Sequence, residues 1–283
     1  TTLAVDWLGR WHKRSYDYYS GMLQQASLKK LSVEWINLRF NLSSRYYDRL
    51  IKSTIIDEAH LVTTEAENLI MKNRNKKFFL FVHYWDTHIP YAPPVQFYEG
   101  ANKRGIRRIL KKIRNPILLT PFMWIDRVKE MQKEMRIHEK IVRYDASIAY
   151  VDHEIGRLIE ALKTHGILDE SFVILTSDHG ESLTEHGIYF DHDGLYDVSI
   201  HVPLIFRHPD LPRNKRIEGF VQHFDIVPTI LDLLNLKKED FDGKSALPLT
   251  YKKTNQLHSA VYAEEGVTER KRAIRTIDYK YIC

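Results

Sequence analysis

The sequence predicts an α/β protein: a central, mostly parallel sheet flanked by helices on both faces, with a small antiparallel addition at the C-terminal end. Three observations carry this expectation. Phe78 to Tyr84 and Phe172 to Thr176 are short apolar runs without polar alternation, the pattern of strands covered on both faces. Stretches with apolar residues at steps of three and four, Thr54 to Lys72 and residues 117 to 163, stand between such runs. From Ser259 onward, strand-like segments follow one another with no helical stretch between them.

Taken in order, Leu3-Ala4-Val5 reads as part of a first strand, followed by a loop, Asp6 to Lys13, dense in polar and aromatic groups. Arg10 and His12 in that loop are candidates for binding an anion, or are solvated loop residues. The Thr54–Lys72 helix puts Ile56, Ala59, Val62, Ala66, Leu69 and Ile70 near one face, and the polar run Asn73 to Lys77 ends it. The strand Phe78–Tyr84 leads into Trp85-Asp86-Thr87-His88-Ile89-Pro90, with Pro93 and Pro94 close behind. No helix runs through that proline cluster, so His88 sits on a rigid loop at a strand's carboxyl end, and Asp86 is expected to brace the same loop. Lys103 to Arg114 interleaves basic residues with Ile106, Ile109, Leu110 and Ile113. This is a solvated helix face, or a patch that attracts a polyanion or a membrane surface.

In the long helical stretch, Ile148, Val151, Ile155, Leu158, Ile159 and Leu162 form an apolar stripe, and Gly166 is placed to cap its end. Helix, short loop and the Phe172–Thr176 strand make half of a βαβ unit. A long loop without period, Leu183 to Gly194, follows, then a third buried strand, Val202 to Phe206. Asp225 is placed as an N-terminal cap with Pro228 in the first turn of the next helix. Residues 1–250 are expected to form the main domain and residues 251–283 the start of a strand-rich subdomain.

Composition narrows the function classes. Of 283 residues, 43% are hydrophobic and 12% aromatic, enough for a sizeable core. The net charge of +5 suits an anionic substrate but is too mild to point to nucleic acid. The only cysteine is Cys283, which excludes an internal disulfide and a cysteine-rich zinc site, and favours a reducing compartment such as the cytoplasm. No apolar run reaches the length of a membrane span. Both termini fall inside strand-like runs, which reads as a fragment.

The stretch with most chemistry is Ser177-Asp178-His179-Gly180, directly after a strand. In open α/β sheets, ligands bind outside the carboxyl ends of strands. There, Asp178 and His179 can reach one divalent ion. The alternative is that Asp178 caps a following helix and His179 is a surface loop residue.

Several segments together resemble the sulfatases and sulfatase-like hydrolases of the alkaline phosphatase superfamily. They are Asp86-Thr87-His88-Ile89-Pro90-Tyr91, Tyr144-Asp145 to Leu158, Thr176 to Glu181 with His186-Gly187, Leu195 to Ile205, and Asp225-Ile226-Val227-Pro228-Thr229-Ile230-Leu231. The resemblance implies a metal-dependent hydrolase of sulfuric or phosphoric esters acting on a small anionic ester, a sugar or lipid sulfate or phosphate among the options. It implies that Asp178 and His179 bind one divalent cation (Ca, Mn or Zn), with imidazole favouring Mn²⁺ or Zn²⁺. It implies that His88 and His192 contact the substrate oxygens or serve the leaving group. Gly9-Arg10-Trp11-His12 is similar to the family's Gly-Lys-Trp-His, which would give Arg10 and His12 to substrate. The family's nucleophile motif, Cys/Ser-x-Pro-x-Arg, does not occur in the chain, so the nucleophile is expected to lie outside it. A phosphoglycerol or phosphoethanolamine-type transferase of the same fold, and a catalytically inert fragment, are the competing readings.

Overall fold

The structure, a computed structural model, describes residues 1–6, 16–21, 58–89, 91–98, 121–237, 240–266 and 270–283. The chain divides into two compact units, Thr1–Leu168 and Asp169–Cys283.

The first unit is built on three parallel strands, β1 (Thr2–Asp6), β2 (Tyr18–Gly21) and β3 (Phe79–His83), in the order β2-β1-β3. β1 is central because Leu3, Ala4 and Val5 are all buried and pair on both sides, Ala4 with Tyr19 and with Phe81. Helix α1 (Glu58–Asn73) packs on β1 and β3 through Ala59, Val62, Ala66, Leu69 and Ile70, the face foreseen from the sequence. Ile56 lies outside the described residues. Phe78, Leu80, Val82 and Tyr84 pack against this cluster.

Among the described residues, α1 covers β3 on one face, while on the other Phe79 is 49% exposed and Tyr16 stacks on Phe79 and Phe81. Successive strand residues point to opposite faces, so a single layer of helix can bury only every other one. The long helix α2 (Pro121–Thr164) turns inward a face that overlaps the expected stripe in part, keeping Leu158 and Leu162 against the interior. Ile148 is exposed, while Val142, Ala146, Ser147, Tyr150, Glu154 and Leu162 are buried. Polar partners explain the shift. Tyr150 accepts the His60 N–H at 3.0 Å, and Arg157 reaches Glu67 and Glu154, each at 2.7 Å. Gly166 ends the helix as expected, with φ 72° and an Ile167 N–H to Leu162 carbonyl bond of 3.0 Å.

The second unit holds a two-stranded ladder of β4 (Val173–Thr176) and β5 (Leu204–Arg207), and a three-stranded antiparallel sheet of β6 (Val261–Glu265), β7 (Lys271–Arg275) and β8 (Lys280–Ile282). β4 and β5 run antiparallel, joining Val173 to Arg207 and Thr176 to Leu204. Both are less buried than their apolar sequences suggest, and Ile205 is 56% exposed. The antiparallel sheet fulfils the C-terminal expectation. β7 and β8 form a hairpin closed by the Thr276 N–H to Tyr279 carbonyl bond at 2.8 Å. Short helices α3 (Asp197–Ile200), α4 (Ile226–Leu233) and α5 (Leu247–Thr250) complete the unit. Among the described residues, no helix is long and apolar enough to cross a membrane.

Candidate active site

β4 delivers Ser177-Asp178-His179-Gly180 at its carboxyl end, and hydrogen bonds fix every one of these residues. Thr176 Oγ1 donates to the Pro203 carbonyl at 2.9 Å. Ser177 Oγ donates to the His179 carbonyl at 2.6 Å, folding the turn back on itself. The Asp178 carboxylate accepts the His179 N–H at 2.9 Å, which holds Oδ1 and leaves Oδ2 outward. Asp178 caps no following helix, and its side chain is 71% exposed.

Gly180 is required here by space rather than by flexibility. A Cβ at this position would stand 2.0 Å from the Val198 carbonyl oxygen. The Gly180 N–H donates to the Ser199 carbonyl at 2.8 Å, tying the strand tip to α3.

The loop beyond the tip is closed as a ring. Ser182 and Asp191 exchange backbone bonds of 2.8 and 3.2 Å, and the buried Ser182 hydroxyl reaches the carbonyls of Glu185 and Ile188. The Glu185 carboxylate accepts the N–H groups of Thr184 and Leu183, and these bonds, that of Thr184 foremost, hold its carboxyl below the usual range. His186 adopts φ 57° and stacks on Tyr196 at 3.7 Å between ring centres. The ring delivers His192, whose imidazole stacks on His179 at 4.0 Å. The Asp191 carboxylate accepts the His192 N–H at 2.8 Å and lies 3.6 Å from its Nδ1, giving Asp191 a role that its sequence context did not assign.

The structure therefore brings together Asp178, His179 and His192 on one face of the second unit. His88 lies in the first unit, stacked on Trp85 at 4.2 Å with Nδ1 2.6 Å from the Ile89 carbonyl. Asp86, expected to brace this loop, is buried and accepts the Ala59 N–H at 3.3 Å, so it serves the start of α1. Arg10, His12 and the basic segment 103–114 lie outside the described residues.

One further side chain supports the tip, and a second fixes the segment that carries it. His223 Nε2 lies 2.9 Å from the Ser177 carbonyl. Asp225 is fully buried and does not cap α4 with its side chain. It accepts the N–H groups of Gln222 and Lys244, both at 2.8 Å, and pairs with His258 Nε2 at 2.9 Å. The only sequence signal was an aspartate before an apolar helix, and that signal fits a cap equally well.

Asp178 and His179 meet part of the requirement for a divalent cation. His179 Nδ1 lies 2.8 Å from the Gly180 carbonyl, which assigns the proton to Nδ1 and leaves the Nε2 lone pair free. Nε2 stands 3.6 Å from Asp178 Oδ2, a separation suited to two ligands of one cation with bonds of about 2.1 Å. Such an ion takes about four to six donors. Among the described residues, no group of three or more His, Cys, Asp or Glu is placed to hold a metal. The pair is half a site.

Comparison with known proteins decides the family. A family model described as Sulfatase matches residues 1–236. The chain belongs to the sulfatase family. A sulfatase of Formosa agariphila is 27% identical over 224 residues, covering 75% of this chain and 43% of that protein. Bovine arylsulfatase K is 33% identical over 150 residues, covering 49% of this chain and 28% of the relative. The chain thus spans less than half the length of either. Among solved structures, BT4656 in complex with its substrate D-glucosamine-2-N,6-O-disulfate superposes with a TM-score of 0.63 at 22% identity, covering 80% of this chain and 60% of that one. That likeness shows the shared sulfatase α/β fold.

Proposed function

We propose that the protein of which these residues form part hydrolyses sulfuric esters, with a sugar sulfate as the substrate class. The observation that carries this is the clustering of Asp178, His179 and His192 on a backbone held rigid by Gly180 and Ser182. Family membership supports ester hydrolysis, and the sulfated glucosamine bound by BT4656 supports a sugar.

In this proposal Asp178 and His179 supply two ligands of a divalent cation, which, when bound, offsets charge on the ester oxygens. The remaining steps belong to side chains of the chain. His192, stacked against His179, donates a hydrogen bond to a non-bridging sulfate oxygen. The resemblance gives His88 the leaving oxygen, to which its imidazolium form passes a proton, a role worth about 10²–10⁴-fold. The resemblance adds Arg10 and His12 as groups that bind the sulfate. Sulfuryl transfer spreads negative charge over the equatorial oxygens, so cationic and N–H donors aimed there favour the transition state over the ground state. The attacking group comes from residues other than these, because no Cys/Ser-x-Pro-x-Arg sequence is present.

The deciding experiment compares the full-length protein with its Asp178→Ala variant on an aryl sulfate and on 6-O-sulfated glucosamine, with metal content measured in both. Turnover that survives the substitution unchanged would reject the assignment.

A further inference from the structure

The antiparallel sheet of the second unit has two unlike faces, and the strand registers fix which residues share each. On one face Glu265, Ala273, Arg275 and Lys280 project together. The opposite face carries Tyr262, Glu264 and Tyr281, all exposed, whereas Ala273 is buried. The Glu265 face meets the segment Gly194–Asp197, which joins the ring carrying His192 to α3. It does so at two points, with opposite charge. Glu265 Oε2 accepts the Gly194 N–H at 2.9 Å. Lys280 Nζ donates to Asp197 Oδ1 at 2.7 Å, with Arg275 3.9 Å from Oδ2.

The two contacts differ in weight. Asp197 is 55% exposed, so water and salt screen its ion pair. Gly194 is buried, and a buried N–H cannot fall back on water, so the backbone there follows its acceptor. The acceptor is also ionised, which makes the bond stronger than one between neutral groups. Gly194 has φ 83°, and a Cβ at this position would stand 3.1 Å from the ring of Tyr196, which itself stacks on His186. Upstream, Asp191 is pinned by its two backbone bonds to Ser182. His192 therefore lies between two fixed points, Asp191 and Gly194, with one residue to spare. Its imidazole reaches the 4.0 Å stack on His179 only when both points hold.

We propose that Glu265 is a positioning residue for His192: its carboxylate, bonded to the Gly194 N–H, sets where the His192 imidazole stands beside His179. The antiparallel sheet is in this way part of the support of the candidate site, although Glu265 touches neither substrate nor cation. The consequence for turnover rests on the ester-hydrolase reading, in which His192 donates to a sulfate oxygen. The mechanical link from Glu265 to His192 does not rest on it.

The test uses the full-length protein. Glu265→Ala lowers kcat on an aryl sulfate by about tenfold and changes KM by less than about threefold. Glu265→Gln, whose amide oxygen accepts the same N–H, brings kcat back to within about threefold of the unsubstituted protein. Glu264→Ala, on the opposite face of the same strand, leaves kcat in place. Added to His192→Ala, Glu265→Ala costs less than about twofold more, because its effect passes through the missing ring. Nuclear magnetic resonance of the metal-free, histidine-labelled protein supplies a readout apart from turnover: Glu265→Ala moves the ring resonances of His192 and His179 and speeds exchange of the Gly194 amide. Should Glu265→Ala fail to fold, Glu265→Asp, one methylene shorter, draws the acceptor back from Gly194 and takes over every measurement. Unmoved ring resonances, unaltered Gly194 exchange, or an equal loss of kcat with and without His192 overturns the proposal. If the unsubstituted protein turns over no sulfate ester, the ester-hydrolase reading fails by itself, and the resonances and amide exchange decide whether Glu265 places His192.

Discussion

Two aspartate–histidine pairs in the second unit have the same chemistry and opposite surroundings. Asp178 and His179 stand at a strand tip, 71% and 35% exposed, with carboxylate and imidazole 3.6 Å apart and not bonded to one another. Asp225 and His258 are 0% and 12% exposed and 2.9 Å apart, and the carboxylate also takes two backbone N–H groups. A buried carboxylate whose lone pairs are all used can only hold structure together, because a new partner would have to displace an old one. An exposed pair on a stiff turn keeps its outward lone pairs for a ligand. Satisfaction of hydrogen bonds, not residue type, separates the two roles.

Substitution can break this contrast. Asp178→Ala should lower turnover of the full-length protein by roughly 10³-fold while leaving the denaturation midpoint nearly unchanged. A large loss of stability instead would make the tip structural. Asp225→Ala should do the reverse, costing about 3–5 kcal/mol in chemical denaturation, because it strands His258 and two backbone donors. Gly180→Ala should cost about 3 kcal/mol by driving a methyl group into the Val198 carbonyl, and should weaken metal uptake as the tip shifts. His192→Ala should reduce turnover by about 10–100-fold with little change in stability.

The smallest effect concerns acid. The Lys280 ammonium, 2.7 Å away, holds the Asp197 carboxyl below its ordinary range, with Arg275 and His201 acting in the same direction against partial burial. A carboxyl depressed in the folded state contributes stability above its unfolded value, about pH 4, and loses it as pH falls through the folded value. Lys280→Ala should therefore lower stability at pH 7, though only slightly since the pair is half exposed, and the two proteins should converge as pH falls below about 4, which denaturant titrations at both pH values would show.

Much of the frame was legible in the sequence. The Ala59–Ile70 face, the Gly166 cap, the C-terminal antiparallel strands and the position of Asp178 at a strand end all follow from local pattern, because each is decided within a few residues. What was not legible depends on partners distant in sequence. The inward turn of α2 around Glu154 needs His60 and Glu67 to be known, some ninety residues away. The role of Asp225 needs Lys244 and His258. The need for glycine at 180 comes from the approach of Val198, eighteen residues further on. Periodicity cannot report any of these, since it sees only neighbours along the chain.

The bond from the Gly180 N–H to the Ser199 carbonyl has a mechanical consequence. It makes the turn bearing Asp178 and the turn leading into β5 a single lever, so a push on one is felt by the other without passing through any side chain. The amide resonance of Gly180, whose N–H makes this bond, would thus report on cation capture at Asp178 without any added probe.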